Sequence, residues 1–411
     1  MKVKSLKALE ILDSRGNPTV RTFVELEDGS MYGSSVPSGA STSSYEAVEL
    51  RDVDDKRHSG QGVQKAVYNV EIIINKVVAG MEITDPKNID EAMIEADGTG
   101  NKSKLGANAI LSVSQAVLKA AARSQKMPLW KFINQYYFAD ILPAFPRLMV
   151  NIVNGGKHAN WNFDIQEFMI IPKQNLPMQA LQIAAEVFHS LAVVLKEKGL
   201  TTLLGDEGGY SPALNSNEEV LDIILEAAHK ANYSLVDFDL GLDSAASGWF
   251  EGGNYISHKN HHHLNSQGLI DYYLKLHAKY EIASFEDPFS EDDWDAFVAF
   301  TKHAKDFMVV GDDLYATNPA RIEKGIDLQA TNAVLIKVNQ IGTVLETVQA
   351  IKIAKSVGWK TIISHRSGET EDSFITDLTY ASGAEFIKTG SVARSERLAK
   401  YNRLLEIEKG L

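Results

Sequence analysis

The chain contains no cysteine. Disulfides, thiolate nucleophiles and cysteine-held zinc are therefore excluded, and any metal must be bound through oxygen or imidazole. Oxygen-only sites favour Mg²⁺, Ca²⁺ or Mn²⁺. Positive charge is also scarce: 41 Lys and Arg stand against 54 Asp and Glu, giving a net charge of −13. That balance argues against general affinity for nucleic acid or an anionic membrane surface. It leaves room for an anionic substrate only where local cations or a metal reverse the field. No run of about 18 apolar residues is expected to span a bilayer. The opening Met1-Lys2-Val3-Lys4-Ser5-Leu6-Lys7 has no long apolar stretch behind it, so no signal peptide is expected. A cytoplasmic protein without membrane insertion is the default expectation.

What is present points to a large core. The 411 residues are 44% hydrophobic, enough for about two domains. Residues 1–138 mix short alternating segments with helical ones. Val20 to Glu27 alternates as a strand does, and Asp28-Gly29 reads as a hairpin turn. Gly106 to Ala122 is Ala-rich and predicts a helix. The stretch from Asp140 to Arg147, with Pro143 and Pro146, reads as a connector. Residues 139–411 are expected to form the second domain.

In that second part a pattern recurs. Short apolar, β-branched runs occur at Leu148–Val153, Phe168–Ile171, Thr202–Leu204, Val236–Leu242, Ile282–Phe285, Met308–Val310, Ala333–Ile336, Thr361–Ile363 and Glu385–Ile387. Continuous apolar runs suit strands buried on both faces. Helical stretches lie between them, at Glu218–Ala231, Leu269–Tyr280, Val344–Val357 and Asp292–Lys305, the last behind an expected N-cap at Ser290. Strands alternating with helices over about 250 residues predict an α/β fold of the TIM-barrel type.

Active sites of such barrels sit at the C-terminal ends of the strands. Asp243 follows one run, Glu286-Asp287 the next, and Gly311-Asp312-Asp313 the one after. Three acids crowded on one rim repel one another, and a bound hard divalent cation removes that repulsion. Lys337 ends the following run, Ser364-His365-Arg366-Ser367-Gly368-Glu369 follows the next, and Lys388-Thr389-Gly390 the last. Cations facing a carboxylate–metal centre suit a small, strongly anionic substrate. Burial and nearby positive charge are expected to lower a lysine pKa toward the range of a general base. Gly205-Asp206-Glu207-Gly208-Gly209 brings an acid among glycines, Gln166-Glu167 opens a strand, and Asn154-Gly155-Gly156-Lys157-His158 is a loop with one imidazole. Asp97-Gly98-Thr99-Gly100-Asn101-Lys102-Ser103 lacks the Gly-Lys of a phosphate loop and reads as a turn. His261-His262-His263 reads as a polar surface loop.

At these residues the chain resembles the enolase family, nearly end to end. The resemblance also runs through Leu12-Asp13-Ser14-Arg15-Gly16-Asn17-Pro18-Thr19, Pro37-Ser38-Gly39-Ala40-Ser41-Thr42, and Lys337-Val338-Asn339-Gln340-Ile341-Gly342. It implies an α+β N-terminal domain before a barrel of ββαα(βα)₆ type. It implies reversible, Mg²⁺-dependent dehydration of 2-phospho-D-glycerate, with two Mg²⁺ per site. By the same resemblance Asp243, Glu286 and Asp312 bind the first ion, and Ser41 closes over the site and helps hold the second. Asp313 is the neighbour that does not ligate. Lys337 is the general base and Glu207 the general acid, with Glu167 and Lys388 supporting them. His158, His365, Arg366, Ser367 and Lys388 contact the substrate. A homodimer, or an octamer, is implied as well. A secondary cell-surface or secreted pool and RNA-processing partners are further associations of the resemblance.

One departure stands out. The family usually carries glycine where Ser43 follows Thr42, and serine lacks glycine's ease at positive φ. A different closure of this loop is the expectation. A related barrel lyase, such as an acid-sugar dehydratase or a cycloisomerase, is the alternative; the Ser41 loop and the His365-Arg366-Ser367 cluster argue against it. A non-enzymatic scaffold is the other, and no proposed catalytic residue is lost.

Overall fold

The computed structural model describes residues 1–39, 43–159, 161–259 and 262–411. Strands β1 (Val3–Leu12), β2 (Pro18–Leu26) and β3 (Met31–Ser35) form an antiparallel sheet. The helix Ala107–Ser124 covers that sheet, and nearly its whole length is buried. Its run of alanines and serines permits this close packing on all sides.

A closed barrel of eight strands follows: β4 (Arg147–Asn154), β5 (Glu167–Pro172), β6 (Phe238–Asp243), β10 (Ile282–Glu286), β11 (Met308–Gly311), β12 (Ala333–Ile336), β13 (Lys360–Ser364) and β14 (Phe386–Lys388). Between β6 and β10 a small antiparallel sheet intervenes, made of β7 (Phe250–Glu251), β8 (Asn254–Ile256) and β9 (His263–Leu264). Strand β5 runs antiparallel to both its neighbours, β4 and β6; the other barrel pairings are parallel.

The barrel interior explains where the chemistry lands. Its lower part is filled by Met149, Met169, Ile171, Val310, Ala333, Leu335, Ile362 and Phe386. Side chains of a strand alternate between faces with a period of two. Counting in twos from these interior residues toward the mouth reaches Asn151, Glu167, Asp312, Lys337, Ser364 and Lys388. In β6 and β10 the register sets Glu167 beside Asp243 and Asp243 beside Glu286, on one rung. The mouth is thus polar because each strand ends its inward-facing series on a polar residue.

Several local expectations are corrected. Thr202–Leu204 is not a strand; only Leu204 makes an isolated bridge to Tyr210, and Leu203 is exposed. The apolar run there has no second strand to pair along its length. The helix near Ser290 is Trp294–Thr301, capped by Asp293, which accepts from the Ala296 N–H. The Ser290 N–H is taken by the Tyr255 hydroxyl instead. One helix, Pro177–Glu197, is long and apolar enough to cross a membrane by length and composition alone, though Gln179, Gln182, Glu186 and His189 interrupt it and no long continuous apolar run is formed. Its apolar surplus arises because Ile183, Ala184, Val187, Phe188, Leu191, Val194 and Leu195 are buried against the rest of the fold.

Candidate active site

A cleft of about 430 Å³ opens at the barrel mouth. Glu167, Glu207, Asp243, Asp312, Lys337, His365, Arg366, Ser367 and Lys388 line it together with Asp287 and Asp313. Of the residues singled out above, Glu286 is fully buried beside the cleft rather than on its wall. Ser41 lies outside the described residues, as does the side chain of His158.

Two lysines organise the acids. Lys388 Nζ lies 2.8 Å from both oxygens of Glu286, 2.9 Å from Asp243 Oδ2 and 3.3 Å from Glu167 Oε1. Lys337 Nζ donates to Asp312 Oδ2, whose other oxygen accepts from Gln340 Nε2 at 2.9 Å. Burial works against the charge on each lysine, but the surrounding carboxylates outweigh it, and both pKa values are raised. This corrects the expected lowering: Asp312 dominates Lys337, and Arg366 opposes it only in part. Burial also disfavours the Asp312 anion, yet Lys337 overrides it and holds this carboxyl below its ordinary value. Glu286 and Glu167 go the other way, each raised well above the carboxylate range by burial and then by neighbouring acids.

A second acidic group sits beside Asp312. Carboxylate oxygens of Asp287, Asp312 and Asp313 lie within 4.8 Å of one another. Asp287, at φ 38°, accepts the N–H groups of Asp312 and Asp313 at 2.9 and 2.7 Å. Asp313 is pushed up to about 8 by burial and by Asp312. Buried like charges at this spacing favour a compensating cation. The donors are all oxygen, as a hard divalent ion requires. Glu167, beside Asp243 on the neighbouring strand, has a buried Oε2 without a hydrogen-bond partner among the described residues. These carboxylates are placed to hold a metal ion, and Asp312 is the residue this group shares with the set Asp243, Glu286 and Asp312 expected from the sequence.

On the far side, Glu207 accepts from Asn151 Nδ2 at 3.3 Å and lies 3.4 Å from His365 Nε2. Arg397 is wholly buried behind these residues and donates to the carbonyls of Arg366 and Ser367, both at 2.6 Å. Arg397 and Asn151 were not singled out from the sequence, and Gln340 entered only as part of the motif that begins at Lys337. Asn151 was reachable by the alternation along β4. Arg397 sits on a C-terminal helix with nothing in its neighbourhood to mark it.

The N-terminal domain completes the rim. Ser38 and Gly368 exchange backbone hydrogen bonds of 2.7 and 2.9 Å. A Cβ on Gly368 would fall 2.3 Å from Asp13 Oδ2 and 2.7 Å from the Ser38 carbonyl, so the strand-like contact needs glycine. Arg366 is clasped by Glu46 at 2.9 and 3.0 Å. Ser43 is not among the described residues with positive φ, so the serine carries no left-handed backbone strain.

An eight-stranded barrel whose mouth gathers acids, lysines and one arginine from successive strands defines an α/β-barrel enzyme built to manage concentrated charge. A family model for the enolase N-terminal domain matches residues 3–133, and one for the enolase C-terminal TIM barrel domain matches residues 142–411. An enolase of Elusimicrobium minutum (strain Pei191) is 49% identical over 413 residues, spanning 100% of this chain and 96% of that protein. The chain belongs to the enolase family and is a lyase.

Proposed function

We propose that this chain dehydrates 2-phospho-D-glycerate to phosphoenolpyruvate, reversibly, with Lys337 as general base and Glu207 as general acid. The observation that carries the reading is the placement of Lys337, Lys388 and Glu207 around one cleft with the acids Glu167, Asp243 and Asp312. The proton to be removed lies next to a carboxylate, and its loss leaves a dianionic ene-diolate. Lys337 takes that proton at Nζ; Glu207 delivers one to the departing β-hydroxyl. Arg366, Ser367, His365 and Lys388 receive the anionic substrate, Glu167 supports the base and the acid, and Lys388 also holds the rung acids Glu167, Asp243 and Glu286 together. His158 is assigned to the substrate on sequence grounds.

Asp243, Glu286 and Asp312 would hold one Mg²⁺, and Ser41 would help hold a second. Bound there, Mg²⁺ would supply positive charge against the rim acids and the developing dianion. Lys337 must be neutral to act, and Asp312 is the group that keeps its proton on. An Asp312 carboxylate shared with a cation would hold that proton less tightly.

The test is the rise in phosphoenolpyruvate absorbance on adding 2-phosphoglycerate and Mg²⁺. Turnover that disappears with a chelator supports the reading; no turnover with metal present refutes it. The same reading carries a homodimer and a cytoplasmic role in glycolysis and gluconeogenesis, to be checked by light scattering and cell fractionation.

A further inference from the structure

The segment after Thr42 is fastened to the barrel by side chains that the proposed chemistry does not use. Ser43 Oγ donates to Glu291 Oε2 at 2.5 Å and lies 3.0 Å from the Asp313 carbonyl. Ser44 donates its hydroxyl to the other oxygen of Glu291. Tyr45 donates to Asp292 Oδ1 at 2.6 Å, and the Arg321 guanidinium lies 3.4 Å from the centre of its ring. Glu291 is itself held from two further sides. Its N–H donates to Ser247 Oγ at 2.9 Å, and its carbonyl accepts from Arg321 at 3.1 Å. The barrel thus presents one carboxylate, fixed through its own backbone, to two consecutive serines.

The consequence runs inward. The Ser43 N–H donates to Glu46 Oε1 at 3.1 Å, and Tyr45 N–H donates back to Ser43 Oγ at 3.2 Å. A serine followed three residues later by a glutamate that reaches back to it is a locally self-supporting turn. Glu46 in turn makes the two-point contact with Arg366, which is 3% exposed. Contacts therefore continue from Glu291 through Ser43 and Glu46 to Arg366.

We propose that Glu291 and Ser43 are a positioning pair: Glu291 anchors Ser43, and Ser43 sets Glu46 so that Arg366 is aimed at the anionic substrate. This rests on the assignment of Arg366 to the substrate made above. The pair touches no reacting atom, so its effect falls on substrate binding.

The test uses the full-length chain as Ser43→Ala, Glu291→Ala, the double variant and Ser43→Thr, which retains the hydroxyl. Losing one or two hydrogen bonds should raise KM for 2-phosphoglycerate by about three- to ten-fold in each alanine variant. The proposal expects kcat to change less than about two-fold, because uniform binding rather than the chemical step is affected. The double variant should be no worse than the worse single, since both break one chain of contacts. Ser43→Thr should recover the wild-type KM. Hydrogen exchange over Ser43–Ala47, read by mass spectrometry, should quicken in Glu291→Ala. This exchange reports the clamp whether or not the wild type turns over 2-phosphoglycerate. Unchanged exchange overturns the clamp. Faster exchange with an unchanged KM, or alanine effects that simply add, overturns the positioning role.

Discussion

Arg397 Nη1 lies 2.7 Å from His365 Nδ1, and both side chains are buried. A guanidinium only donates, so Nδ1 must accept and the imidazole proton must sit on Nε2. That nitrogen faces Glu207 Oε2 at 3.4 Å. One arginine outside the cleft thereby selects the tautomer of an imidazole inside it.

The first prediction concerns that imidazole. Burial, opposed by Glu207 and assisted by Arg397, lowers the His365 pKa from 6.5 to about 4. A depressed folded pKa contributes stability that is complete above the ordinary value of 6.5 and lost as pH falls toward about 4. Nitrogen-15 NMR should show His365 neutral and protonated at Nε2 through the neutral range. Titration near its ordinary value would contradict this, as would an Nδ1-protonated ring.

Lys388 is the sole lysine bonded to Asp243 and Glu286 among the described contacts. Lys388→Met should strip these buried acids of their counter-charge. Unfolding by denaturant in the presence of chelator should show a loss of about 3–5 kcal/mol, the usual cost of orphaning a buried charge. Added Mg²⁺ should restore part of it, since a ligand of the folded state stabilises by mass action. Equal stability of variant and wild type in chelator would show that the acids do not depend on Lys388.

Asp90 offers a pH prediction away from the cleft. It is buried where the N-terminal domain meets the barrel, accepting from Ser114 Oγ and the Leu345 N–H, at 2.9 and 3.0 Å. Burial raises its pKa from 3.8 to about 7 despite these bonds. A raised folded pKa gives stability at low pH that is lost as pH rises toward about 7. Asp90→Asn removes this dependence. Its Tm relative to wild type should climb between about pH 4 and about pH 7 and then level off. A difference independent of pH would place the titration elsewhere.

Much of the site was legible because alternation along a strand is rigid. Once Ala333 and Leu335 are interior, Lys337 has to face inward, and the same count places Asp312 and Lys388. Strand β5 shows where this reading stops. Glu167 lies at the start of its strand, the wrong end for a parallel barrel, and reaches the mouth only because β5 is reversed. Single-strand periodicity carries no direction, so the residues alone left it in a strand opening or the preceding loop. Arg397, Glu46 and Glu291 were hidden for a different reason. Each acts through contacts with residues far away in sequence, and no local pattern records those.

The role of Lys337 is tested most directly by solvent exchange of the C2 proton of 2-phosphoglycerate, followed by NMR in deuterated buffer with Mg²⁺. Proton removal precedes loss of the hydroxyl in the assignment above, so the two steps separate by residue. Lys337→Ala should lose exchange and turnover together, by about a thousandfold. Glu207→Gln should lose net dehydration while still exchanging the proton. Full exchange in Lys337→Ala would contradict the assignment of Lys337 as the base.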